Sequence, residues 1–165
     1  MRNAIRELGK EPTVELREVS RNSAEHRAYI AMMMKNRAVL SDHGNITLKS
    51  YQPTEVVPSV PGPRTPMPLA ICVNNVLVGG IVVRPVKNDE ETAEIGFFVV
   101  TASGWEVIAT AALKKLITGH PAHETFIAET NPDNVQTQRV LEHAGFHFDK
   151  ENENGDLVYK YERQE

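Results

Sequence analysis

Between Val99 and Thr110 an apolar strand pattern runs straight into a helical one, and such a junction presents main-chain amides that favour an anion. Within it, Ser103-Gly104-Trp105-Glu106 has the spacing of a capping box, in which Ser103 and Glu106 satisfy the first helical amides. The two uses compete, because amides held by a capping box are not free for a phosphate. Glu106 also sets a carboxylate beside any anion there, at a cost on the order of 1 kcal/mol at surface-like dielectric. Further along, Asn131-Pro132-Asp133-Asn134 offers two asparagines that suit a turn before proline and a helix cap, or side-chain contacts to a ligand. Glu94, on an alternating strand, is a carboxylate that either pairs with a cation or takes a proton. Cys72 lies in the apolar run Leu69-Ala70-Ile71-Cys72-Val73 and reads as a buried structural thiol rather than a nucleophile. His120 and His123 flank Pro121 in a connecting loop without paired cysteine or carboxylate ligands, so no metal is assigned, and His143 reads as a surface residue of a helix.

The elements that must position these groups fit in 165 residues, the size of one domain, and residues 1–165 are read as one. A formal net charge of -4 argues against a general grip on nucleic-acid phosphates. The amino terminus lacks an apolar signal core, and no stretch nears the roughly 18 apolar residues of a membrane span. The expectation is a cytoplasmic protein, off the membrane, that handles small molecules or proteins.

Val14 to Val19 alternates apolar and charged residues, as a half-buried strand does. Asn22 or Ser23 caps a helix that opens at Glu25 or His26 and carries Tyr29, Met32, Met33, Val39 and Leu40 as its apolar stripe, to about Leu40. Met32 to Met34 read mostly as adaptable core. From 51 to 68 six of the ten prolines gather in a long surface loop, read either as a substrate-side flap or as a plain linker. Pro68 to Val73 and Val76 to Val83 form a hairpin about Asn74-Asn75, and Ala93 to Val100 is a third strand after the charged turn Lys87 to Glu91. A helix from Trp105 to Ile117, a strand from Thr125 to Glu129, a helix from Asn134 to Ala144 ended by Gly145, and a last strand from Leu157 to Tyr161 after the Asn154-Gly155 turn complete a mixed α/β order.

Glu94-Ile95-Gly96-Phe97-Phe98 with Ile108-Ala109-Thr110, then Asn131-Pro132-Asp133-Asn134 leading to Arg139-Val140-Leu141-Glu142 and Gly145-Phe146, resembles the GNAT acetyltransferases. The resemblance is closest to the branch of ribosomal-protein N-terminal acetyltransferases, and it covers Leu69 to Tyr161 well and the first third by element order alone. It implies the GNAT fold: α/β, with a mixed, mostly antiparallel sheet whose central strands splay, flanked by helices. It also implies acetyl-CoA as co-substrate, its pantetheine arm added as a strand along the backbone of Phe98, Val99 and Val100. The pyrophosphate would sit on the amides from Gly104 through Trp105, Glu106, Val107, Ile108, Ala109 and Thr110. The family's loop pattern is Gln or Arg, two arbitrary residues, Gly, one arbitrary residue, then Gly or Ala. Of its three defining positions this chain keeps Ala109; Gly104 and Val107 depart, and Val107 is branched where glycine would let a phosphate approach.

By the same resemblance Asn131, Asn134 and Thr137 contact the donor, and Glu94 is the base for the amine, directly or through water. The tyrosine acid that many relatives carry is replaced by Leu141, which leaves Thr137, His143 or water to protonate the sulfur. Two readings follow. One is an N-acetyltransferase acting on an amine of a protein or small molecule. The other is a catalytically inactive GNAT-fold protein that binds a protein partner. A homodimer is compatible with either.

Overall fold

The computed structural model describes residues 13–19, 23–35, 67–100, 104–119 and 123–163. Alternation does what it predicts in the first strand: β1 (Val14–Glu18) buries Val14 and pairs antiparallel with β2 (Met67–Val73), from Val14↔Val73 to Glu18↔Leu69. Helix α1 (Ala24–Lys35) is capped by Ser23, whose Oγ accepts from the His26 amide at 3.0 Å while its carbonyl accepts from Arg27. Of the methionine cluster, Met33 is buried and Met34 is 53% exposed. Val39 and Leu40 lie outside the described residues, as do 51–66 of the proline-rich segment. Pro68, the shared boundary of that loop and the following strand, lies in β2. It pairs with Val82 just past the last β1 partner, where its missing amide breaks no second ladder.

Asn74 and Asn75, at φ +51° and +64°, make the tight turn from β2 into β3 (Val76–Val86). Both β3 and β4 (Asp89–Val99) are longer than expected, and the turn between them shrinks to Lys87-Asn88, with Asn88 at φ +65°. Asp89, Glu90 and Glu91, read as turn residues, are the exposed beginning of β4, where a strand needs no apolar side chains to pair.

Helix α2 (Trp105–Gly119) buries Ile108, Ala109, Ala112, Leu113, Leu116 and Ile117, the stripe its sequence spacing calls for. Lys115 reaches across to donate to the Val14 carbonyl at 2.6 Å, tying α2 to β1. Then come β5 (Thr125–Thr130), α3 (Val135–His143), β6 (His147–Glu151) and β7 (Leu157–Glu162). Gly145, at φ +99°, ends α3, and the Phe146 amide returns to the Leu141 carbonyl at 2.9 Å. The β6 strand is absent from the sequence reading, and Asn154-Gly155 turns from it into β7.

Among the described residues seven strands form one sheet in the order β1-β2-β3-β4-β5-β7-β6, antiparallel except for β4 and β5. That parallel pair holds register only from Thr92↔Thr125 to Glu94↔Ile127. Beyond it, Ile95–Val99 and Ala128–Thr130 have no register partner in each other, so the central strands splay as the resemblance requires. One face carries the main core under α2 and α3; the other carries a smaller cluster of Val19, Tyr29, Met33, Ala70, Cys72 and Phe98 under α1. Cys72 is buried there, which raises its thiol pKa. Among the described residues no helix is long and apolar enough to cross a membrane.

Candidate functional site

The segment β4-α2-β5 is a parallel strand-helix-strand unit, and its two strands part toward their carboxyl ends. Crevices at that end of parallel strands are where such sheets bind ligands. Here both strands run into helices, α2 after β4 and α3 after β5, so two helix amino termini lie at the same end of the sheet as the gap. Each contributes main-chain donors and the positive end of a dipole.

Val100 donates its amide to the Val78 carbonyl at 2.8 Å and is therefore committed to β3. Main-chain groups of successive strand residues point to opposite edges, so Phe98 also faces β3 and Val99 faces the gap. Of the three residues expected to hold a pantetheine arm, Val99 is the one whose main chain is placed for it. The Phe98 side chain is buried edge-on against Tyr29, at 6.1 Å between ring centres.

At the start of α2 the capping box does not form in the expected register. Gly104 has φ +74°, outside the helix, and its carbonyl accepts from Ile108 at 3.2 Å, so Gly104 occupies the cap position. Glu106 is then the second helical residue rather than the third, and Ser103 lies outside the described residues. Gly104 itself has no side chain with which to bond the amides of Trp105, Glu106 and Val107. Val107 is 46% exposed; Ile108 and Ala109 are buried and can offer a ligand only main-chain atoms. Thr110 Oγ1 donates to the Glu106 carbonyl at 2.7 Å.

The second junction is built by its own side chains. Asn131 Oδ1 accepts from the Asp133 amide at 2.8 Å, the Asn134 amide returns to the Asn131 carbonyl at 2.9 Å, and Asn134 Oδ1 caps α3 through the Thr137 amide at 3.3 Å. Thr137 is buried on the face of α3 that also carries Val140 and Leu141. His143 is exposed, and His123 stacks edge-on against Phe126.

Glu94 stands at the branch point itself, half-buried, paired in register with Arg84 of β3 and Ile127 of β5. Burial raises its pKa above the ordinary 4.5; the Glu129 carboxylate adds to the rise and Arg84 opposes it. A strand-edge gap, helix amino termini at its end and a carboxylate at its apex suit an anionic, amide-bearing ligand and a proton acceptor beside it.

The acetyltransferase (GNAT) domain family matches residues 7–147. The chain is a GNAT acetyltransferase-family protein. No curated protein sequence matches it. Among solved structures, the fold is similar to that of the aminoglycoside acetyltransferase AAC(6')-Ib in complex with coenzyme A and kanamycin, at TM-score 0.71 and 18% identity over 92% of this chain and 95% of that one. It is also similar to RimL, a ribosomal α-N-protein acetyltransferase in complex with coenzyme A, at TM-score 0.70 and 17% identity over 92% and 94% of the two chains. Mycobacterium smegmatis RimJ in complex with a coenzyme A disulfide follows at TM-score 0.66 and 19% identity, over 92% and 88%.

In this GNAT chain two further residues that sequence reading did not single out lie beside Glu94. Glu129 is on the same sheet face as Glu94 by strand alternation, and it acts on Glu94 through charge. Gly96 lies between Glu94 and Phe98 on that face, and a Cβ built there meets nothing within 4 Å among the described residues. Glycine in the interior of a strand weakens it, so the open space over Gly96 asks for a purpose. The signal for Gly96 was present in the Glu94-Ile95-Gly96 string; for Glu129 none was available, because only the β4–β5 register brings it to Glu94.

Proposed function

We propose that the chain moves an acetyl group from acetyl-CoA to an amine of a protein or small molecule, working as a single domain. The observation that carries this reading is the gap between β4 and β5, closed at its apex by Glu94 and flanked at its open end by the amino termini of α2 and α3. The pantetheine arm adds to the exposed edge of β4 through Val99, and the pyrophosphate lies against the amides of Trp105, Glu106 and Val107. Glu94 removes a proton from the acceptor ammonium, directly or through water. The freed amine attacks the thioester carbonyl, a C–N bond forms, the C–S bond breaks, and the departing thiolate takes up a proton. A carboxylate with a raised pKa is the stronger base, and Glu94 has the environment for it. The space over Gly96 gives the acceptor room on the same face.

The inactive-module reading draws on Glu106, an acidic side chain in the first turn of α2 where an anion is to be held. Calorimetric titration with acetyl-CoA separates the two. The enzyme reading expects saturable binding by the unaltered chain and tighter binding by a Glu106→Lys, Val107→Gly variant. Binding by the variant alone would mean a blocked site and a protein-binding role.

A further inference from the structure

Thr130 is the last residue of β5 and is 1% exposed, yet its Oγ1 is buried with no hydrogen-bond partner. A hydroxyl in that position costs stability that valine, of nearly the same shape, would not. Its surroundings narrow the reason. On one edge Thr130 pairs with Leu157 of β7; on the other, β4 has already diverged, since register there stops at Glu94↔Ile127. The strand beside it is therefore missing along the stretch that a ligand's arm would fill. Alternation puts Thr130 on the face of Phe126 and Ala128, where α2 and α3 cover the sheet. In the turn that follows, the side-chain oxygens of Asn131 and Asn134 are already committed to the Asp133 and Thr137 amides. The buried group left to bond is the threonine hydroxyl.

We propose that Thr130 Oγ1 is a ligand group of the acyl-donor site, donating a hydrogen bond to an amide carbonyl of the pantetheine arm laid between β4 and β5. This rests on the acetyl-CoA reading above and adds a side chain to a contact otherwise made by main chain. The chemistry fits: the arm carries amide groups, a hydroxyl donates to a carbonyl without needing a charge, and binding would satisfy an atom that the empty protein leaves bare.

The test uses the full chain as wild type, Thr130→Val and Thr130→Ser, titrated with acetyl-CoA, with pantetheine, and with the adenosine bisphosphate half of coenzyme A, alongside thermal unfolding without ligand. The expected result is a loss of about tenfold in acetyl-CoA and pantetheine affinity for Thr130→Val, about 1.4 kcal/mol. The adenosine bisphosphate affinity stays unchanged, Thr130→Ser stays near wild type, and Thr130→Val unfolds at the same or a higher temperature. A lower unfolding temperature with unchanged affinity would mean that the hydroxyl is bonded within the protein, by water or main chain, and would overturn the proposal. Equal binding by wild type and Thr130→Val would overturn it while leaving the acetyl-CoA site intact. Absence of binding by the wild type would remove both.

Discussion

Glu94 is held by opposing influences, and their balance sets a pH dependence. Burial and Glu129 favour its neutral form, while Arg84 favours the charged one, with a net upward shift from 4.5. On the proposed mechanism the active form is the carboxylate, so acetyl transfer should fall as pH drops through a Glu94 pKa raised above 4.5. Glu129→Gln removes the like charge, so the acid limb of kcat/KM should move to lower pH. Glu94→Gln should cost about 10²- to 10⁴-fold in rate at neutral pH. Rate profiles with acetyl-CoA and a panel of primary amines check both, and an acid limb unmoved in Glu129→Gln would detach Glu129 from the site. The stability effect has the opposite sense. A raised folded pKa contributes stability that is present below 4.5 and lost as pH rises through the shifted value, so Glu94→Gln should gain thermal stability relative to wild type at pH 7 and none near pH 4. Glu94 was legible in the sequence because its whole string resembles a family motif; Glu129 is ordinary until strand register gives it a neighbour.

Elements decide which single changes damage the fold and which damage only the site. Gly79 of β3 and Gly96 of β4 lie on adjacent strands, with opposite surroundings. A Cβ at Gly79 would collide with the Phe98 carbonyl and the Val99 backbone, whereas one at Gly96 meets open space. Gly79→Ala should therefore destabilise by roughly 1–3 kcal/mol, as overpacking does. Gly96→Val, a β-branched residue in a strand, should unfold no earlier than wild type yet lose at least about tenfold in acetyl transfer by filling the acceptor's space. Thermal unfolding measured beside steady-state kinetics distinguishes them, and full activity in Gly96→Val would move the acceptor elsewhere. Asn134→Ala should cost about 1 kcal/mol in urea unfolding through the lost cap, with Asn134→Asp retaining it. The sequence patterns that worked were those with a buried face or a specific backbone demand: the α2 stripe, the positive-φ Asn74-Asn75 turn, the Asn134 cap. His147–Glu151 failed because every residue of β6 is exposed and its register shifts between Phe148 and Lys150, so no apolar period marks it. The start of α2 at Trp105 was legible, but not its cap: the spacing of serine and glutamate fits a capping box whatever φ the intervening glycine adopts, and at +74° Gly104 takes the cap position.

For the molecule as a whole, the sheet divides the apolar interior unequally, and the division predicts how stability is distributed. Helix α2 buries six side chains in the larger cluster, while α1 buries Tyr29 and Met33 in the smaller one. Among the described residues α1 has the fewer buried contacts, and few such contacts mean low local opening energies, so α1 should exchange its amide hydrogens before α2 does. This puts the looser side of the protein on the face that carries Glu94 and Gly96, and the firmer side where α2 and α3 present their amino termini. On the proposed function, donor binding falls to the firm junctions and acceptor entry to the face under the helix that opens readily. Hydrogen exchange with and without acetyl-CoA tests it directly. Protection should appear together in residues 96–100, 104–108 and 131–137, since one extended ligand spans all three, while α1 keeps its ligand-free rate until an amine acceptor is added. Protection confined to 104–108 would describe an anion resting on one helix terminus rather than a cofactor laid along the gap, and the arm, the threonine beneath it and the acetyl chemistry would all have to be placed elsewhere.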